Sequence, residues 1–282
     1  MSVLIAPQSA TDARLLGTAS APARSTAEPV LRICDIRVQF GGIVALEGIS
    51  FDLEAEQLLG LIGPNGAGKT TLFNCISRLY TPSSGDIRFE GSSILRRPAH
   101  RIAEIGITRT FQNLALFNTM SVIDNVRVGA HRRGRGNFLT DALRWSTLTG
   151  RDRGVERQVW DVVEYTGLAA VARQTVASLP FGLQKRVELA RALAAAPKLL
   201  LLDEPAGGLN HREVGELGRL IRRIQEKHHL TVLLVEHHMN LVMSICDRVV
   251  ALDFGRKIAE GTPAQVQRSS AVIEAYLGKA RP

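Results

Sequence analysis

The sequence predicts an α/β fold built on a parallel sheet, with a smaller antiparallel β part and an inserted helical part. Three observations predict it. Apolar runs at Leu58–Ile62 and Leu199–Leu202 have the length of buried strands, and 231–236 reads as a further strand. Stretches with helical spacing lie between and after them. The loop Gly63-Pro64-Asn65-Gly66-Ala67-Gly68-Lys69-Thr70-Thr71 matches G-x-x-x-x-G-K-[ST] at every position, directly between the first run and a helical stretch.

Taken in order, Leu31 to Leu53 alternates as two antiparallel strands, with Gly41-Gly42 between them. Leu58–Ile62 is the strand before the loop, and Thr71 to Leu79 the helix after it. Gly85–Glu90 is a further short strand. Beyond residue 112 the pattern changes. Ser121–Ala130, Val155–Leu168 and Gln184–Ala196 carry helical spacing, which marks an insertion over about 112–196 between core segments at 29–111 and 197–282. Glu213–Glu226 is a helix, 231–236 a strand, Arg248–Leu252 and Lys257–Ala259 strands, and Ala271–Leu277 a last helix. No internal repeat is present.

The glycine-rich loop predicts a phosphate site. Glycines let backbone N–H groups close around phosphate oxygens, and the helix start adds the positive end of its dipole. Lys69 would reach the β- and γ-phosphates, and the Thr70 hydroxyl would take one position on Mg²⁺. The run Leu199–Leu202 delivers Asp203 and Glu204 to a strand end, ahead of Pro205 and of Gly207-Gly208. Asp203 suits Mg²⁺, and Glu204 stands where a base orients or deprotonates an attacking water.

The composition narrows the class. At 282 residues and 45% hydrophobic, the chain can bury a large core. No apolar run approaches the ~18 residues needed to span a bilayer. Met1–Pro7 has neither the basic start nor the apolar length of a signal peptide. Residues 1–28, rich in Ala, Ser, Thr and Pro, are expected to form a disordered tail. Cys34, Cys75 and Cys246 form no C-x-x-C pair, so reduced thiols are expected. The net charge is +8, and the stretch 127–157 holds eight arginines against three acids, or +5 of it. That stretch suits anionic headgroups or a plain solvated face. It lacks the aromatic stripe of a nucleic-acid surface. Histidines 228, 229, 237 and 238 fall at opposite ends of one strand, too far apart for one ion.

The motif set resembles the nucleotide-binding subunit of an ABC transporter, with matching segments from about residue 31 to about 278. The resemblance implies a P-loop NTPase (RecA-like) core and ATP as the nucleotide. Gln112, in Thr108-Arg-Thr-Phe-Gln-Asn, is similar to that family's Q-loop glutamine, which senses the γ-phosphate and helps hold Mg²⁺. His237 is similar to its switch histidine, which contacts the γ-phosphate. Phe40 stands where the family stacks a ring on adenine, and Gly207–Asn210 resembles the D-loop. Leu179-Pro180-Phe181-Gly182-Leu183 takes the place of the signature Leu-Ser-Gly-Gly-Gln. The serine hydroxyl is absent there, which leaves the backbone near Gly182 and the start of the following helix for an anion. The D-loop ends on Asn210 where aspartate is usual.

This resemblance implies a composite site, in which ATP on one subunit's P-loop is covered by the Leu179–Leu183 segment of another. The expected partners are therefore a paralogous ATPase or a second copy, membrane-spanning permeases and, indirectly, a soluble solute-binding protein, at the cytoplasmic face of the membrane and with no nucleic acid. The stretches 108–117 and 203–210 and the ending Ala275–Gly278 resemble ATPases of branched-chain amino acid importers. Importers for urea or short amides are the alternative, followed by a soluble ABC ATPase on ribosomes or DNA and by a small-molecule kinase.

Overall fold

The structure is a computed structural model and describes residues 28–110, 114–130 and 148–277, with side chains from 154 onward in the last stretch. The tail expected over 1–28, apart from its last residue, lies outside the described residues, as do Gln112 and most of the basic stretch.

The central sheet has six strands in the order β10-β9-β3-β8-β7-β6. They are β3 (Leu58–Ile62), β6 (Ile107–Arg109), β7 (Leu199–Asp203), β8 (Thr231–Val235), β9 (Arg248–Asp253) and β10 (Arg256–Gly261). All neighbours pair in parallel except β10 on β9. Every residue of β3, β7 and β8 is buried. This is why these strands read as unbroken apolar runs, since helices or a second sheet cover both faces. Each fully buried Leu or Val contributes about 1.5–3 kcal/mol.

One face packs against an antiparallel sheet of order β2-β1-β4-β5, formed by β1 (Leu31–Phe40), β2 (Ile43–Leu53), β4 (Ser84–Phe89) and β5 (Ser92–Ser93). Helix α1 (Lys69–Ile76) lies in the same core through Leu72, Phe73 and Ile76. The other face is covered by α5 (His211–His228), α6 (Met239–Ile245), α7 (Pro263–Gln267) and α8 (Ser270–Leu277). A third core joins α2 (Val122–Ala130), α3 (Leu148–Tyr165) and α4 (Phe181–Ala194). Tyr165 Oη donates to the Arg223 carbonyl at 2.8 Å, and Arg186 pairs with Glu216 at 2.8 Å, which fastens this helical lobe to α5.

Several elements differ from the sequence reading. Helix α3 starts seven residues before Val155, over an arginine-rich turn that shows no apolar stripe. Strand β6 is three residues long and α6 seven, both too short for periodicity to register. Helix α7 carries a signal that was there to be read: Thr262-Pro263-Ala264-Gln265 is a capping box with proline at the first helical position.

Candidate nucleotide site

The loop between β3 and α1 is held by steric necessity at two glycines. Gly63 has φ +150°, and a Cβ there would stand 2.2 Å from the Leu252 carbonyl oxygen. Gly68 has φ +99°, and its Cβ would meet Leu46 Cδ2 at 2.6 Å. Any other residue would push the loop off β9 and β2. Lys69 is buried at the first turn of α1 and donates to the Gly63 carbonyl at 2.6 Å and the Pro64 carbonyl at 2.9 Å. Burial lowers its pKa below the usual lysine value, while the nearby carboxylates of Glu204 and Asp203 pull it back up. The lysine thus sits among two carboxylates and two carbonyls, a cation surrounded by acceptors.

Asp203 ends β7, with its side chain only 3% exposed, and pairs with Arg109 Nη2 at 2.6 Å through Oδ2. Arg109 Nη1 reaches Asn74 Oδ1 at 2.8 Å and Ser77 Oγ at 3.2 Å. The arginine therefore ties β6 and β7 to α1. The sequence placed Arg109 only as a neighbour of Gln112; its charge at the end of a short edge strand was the available signal.

Glu204 has φ +46°, a left-handed conformation that costs a non-glycine residue about 1–3 kcal/mol. Its N–H donates to the Val235 carbonyl at 2.9 Å, and its own carbonyl accepts from Gly207 N–H at 3.1 Å. His237 Nδ1 lies 3.7 Å from Glu204 Oε2. Beneath both is Glu236, fully buried, which accepts from the N–H groups of Ala206 (2.8 Å), His237 (3.0 Å) and His238 (3.1 Å). One carboxylate therefore locks the loop after β7 to the loop after β8. The sequence signal for it was an acid closing an apolar strand.

Phe40 ends β1, is half exposed and makes an edge-to-face contact with Tyr80 at 5.2 Å between centroids. Tyr80 was not picked out from the sequence. Leu179–Leu183 forms the entry to α4, with Pro180 as its N-cap and no side-chain cap bond. Phe181 packs on Gly208, where a Cβ would meet its ring at 2.8 Å, and Gly182 faces Glu213. Asn210 caps α5: its Oδ1 accepts from the N–H groups of Arg212 and Glu213, both at 3.1 Å. Asparagine caps a helix as well as aspartate does, so the substitution leaves this turn intact. His228 and His229 end α5, on the far side of β8 from His237 and His238.

The donor set suits a hard divalent cation. Thr70 offers a hydroxyl on the first turn of α1, and Asp203 keeps Oδ1 beside the oxygen given to Arg109. These are the hard oxygen ligands that Mg²⁺ takes, alongside water and phosphate.

Comparisons with known proteins identify the family. Residues 46–207 match the model of the ABC transporter family, and residues 256–281 match that of the branched-chain amino acid ATP-binding cassette transporter. The chain is 40% identical over 252 residues to the high-affinity branched-chain amino acid transport ATP-binding protein BraF of Pseudomonas aeruginosa, covering 89% of this chain and 99% of that one. It is 37% identical over 253 residues to LivG of Escherichia coli, a protein of the same description, covering 90% and 99%. The ADP conformation of an ATP-binding cassette of an ABC transporter superposes with a TM-score of 0.78 at 27% identity, over 90% of this chain and all of that one. Matched in this way over about nine-tenths of its length, the chain belongs to the ATP-binding subunits of the ABC transporter family.

Proposed function

We propose that the chain is the ATP-hydrolysing motor subunit of an importer for branched-chain amino acids. The observation that carries the solute class is the end-to-end match to BraF and LivG, 99% of each, together with the branched-chain family model on 256–281. What an ATPase subunit contributes is positioning and charge neutralisation, because phosphoryl transfer asks for little covalent chemistry from the protein.

In this reading the backbone of Gly63–Thr71 cradles the phosphates, and Lys69 moves from the Gly63 and Pro64 carbonyls to the β- and γ-phosphates. Thr70, Asp203 and Gln112 hold the Mg²⁺, which offsets phosphate charge when bound. Glu204 orients the attacking water and accepts its proton. His237, 3.7 Å from Glu204, would contact the γ-phosphate. Phe40 and Tyr80 offer a π-face for the adenine.

The contacts of Leu179–Leu183 run to the Gly208–Glu213 turn and the helical core. Such a segment closes over a P-loop supplied by a second ATPase subunit, which makes the working unit a dimer. A cleft of about 380 Å³ separates the helical lobe from the core, lined by Thr108, Arg109, Phe117, Val128, Glu188 and Arg191. Phe117 and Val128, 49% and 40% exposed, are its large apolar side chains. Asn125 fixes the Phe117 backbone in both directions, at 2.9 and 3.0 Å. In this reading the cleft receives the permease and the chain works at the cytoplasmic face of the membrane; none of its described helices is long and apolar enough to cross one.

Uptake in cells lacking the gene tests the reading. Wild-type chain should restore uptake of labelled leucine, and Lys69→Ala should not. Restored urea or acetamide uptake with leucine uptake unchanged would overturn the solute assignment.

A further inference from the structure

The last described helix reaches back to the phosphate loop. Tyr276, on α8, accepts a hydrogen bond at its hydroxyl from the Gly63 N–H at 2.8 Å, across 213 residues of sequence. Gly63 is the first residue of the loop, and its carbonyl accepts from Lys69 Nζ at 2.6 Å. Two peptide planes meet at the Gly63 Cα. Tyr276 holds the plane on the strand side, and Lys69 holds the plane on the loop side. Gly63 cannot yield toward β9, because the Leu252 carbonyl already blocks that direction.

The rest of α8 is lightly attached. Val272 is its one buried residue, while Ile273 and Leu277 are 45% and 83% exposed. Tyr276 is itself 39% exposed overall, yet its hydroxyl is turned inward onto a backbone group. Burial raises its pKa above the ordinary tyrosine value. The hydroxyl therefore keeps its proton at neutral pH and stays uncharged beside the phosphate site.

We propose that Tyr276 is a positioning residue for ATP hydrolysis, through which the C-terminal helix sets the Gly63 backbone and thereby the resting place of Lys69. When phosphates draw Lys69 away from the two carbonyls, the loop loses its internal anchor on one side of Gly63. Tyr276 supplies the anchor on the other side, so the loop stays in the shape that receives the phosphates. The bond acts on nucleotide capture, because what it fixes is the shape of the loop before phosphates arrive and, through the Gly63 peptide, the resting place of Lys69. The proposal rests on the ATPase reading, which the wild-type kinetics in the same experiment test separately.

Tyr276→Phe removes the hydroxyl and keeps the ring. One net hydrogen bond corresponds to roughly a two- to tenfold change in an equilibrium. The expected result is a KM for Mg·ATP raised by about that factor, an unchanged kcat, and a nucleotide-free melting temperature within about 2 °C of wild type. Tyr276→Ala should show the same rise in KM with an added loss of stability from the missing ring. A wild-type KM in Tyr276→Phe overturns the proposal, whether or not stability falls, since the hydroxyl would then serve only to dock the helix. A fall in kcat with KM unchanged overturns it as well.

Discussion

Arg109 Nη2 lies 2.6 Å from Asp203 Oδ2, with the two side chains 10% and 3% exposed. The pair joins the edge strand β6 to the carboxylate that ends β7, and the other arm of Arg109 reaches Asn74 and Ser77 on and beside α1. A three-residue strand thus carries the charge that balances a buried acid at the phosphate site. Breaking a buried pair from one side leaves the other charge without compensation. Arg109→Ala is expected to lower unfolding stability by about 3–5 kcal/mol, and Arg109→Lys by less, since the charge survives but the fork does not. Urea unfolding measures both. A loss below about 1 kcal/mol for the alanine variant would show that Asp203 tolerates burial without its arginine.

The sequence made some of this plain and hid the rest, for physical reasons. β3, β7 and β8 are buried on both faces, so they appear as apolar runs. The phosphate loop follows a fixed spacing because steric contact and amide placement leave few alternatives. Arg109, Glu236 and Tyr276 act through contacts 94, 30 and 213 residues away in sequence. Local pattern carries no information about such partners. Asn210 looked like a departure in a motif, and the structure shows it as a helix cap, a role asparagine fills on its own terms.

Glu204 is held in a left-handed backbone conformation between β7 and the Gly207 turn, with His237 3.7 Å away. Strain of this kind is retained where a side chain must point one way. Glu204→Gln keeps the shape and removes the base, so hydrolysis should fall by ~10²–10⁴-fold. ATP should still raise the melting temperature, because the loop and Lys69 are untouched. Steady-state phosphate release and thermal unfolding with Mg·ATP check the two parts. Hydrolysis at the wild-type rate would remove Glu204 from the role of base.

The three cysteines differ in what burial does to them. Cys75 is fully buried on α1, and burial pushes its thiol up to about 11; burial raises Cys246 as well. Cys34 on β1 is partly exposed. The thiolate is the reactive form, so only Cys34 should react quickly in the native protein at pH 7.5. An Ellman-type titration should read one fast thiol, and three after denaturation in guanidinium. Fast reaction of Cys75 would mean that the core beside the phosphate loop opens readily, and Mg·ATP should then slow it.

Pro180 occupies the N-cap of α4 without any side-chain bond to the helix, while its carbonyl accepts from Leu183 and Gln184 at 2.9 and 3.1 Å. Its φ of −54° and ψ of +147° are open to serine without strain. Pro180→Ser has two opposing effects on the isolated chain. A serine hydroxyl at the N-cap accepts from the first turn and adds about 0.5–2 kcal/mol, while losing proline frees the unfolded chain and removes about 0.4–1 kcal/mol. Stability of the monomer should therefore change by no more than about 1 kcal/mol. The larger effect should appear only when two subunits close over nucleotide, where the hydroxyl gains a phosphate oxygen as an alternative partner. Sedimentation velocity with a non-hydrolysable ATP analogue should show stronger self-association for Pro180→Ser than for wild type, by up to about tenfold for one hydrogen bond. Equal association of the two forms, with the serine variant more stable alone, would mean that the hydroxyl stays on the helix. The backbone near Gly182 would then carry the contact across the dimer without help from residue 180.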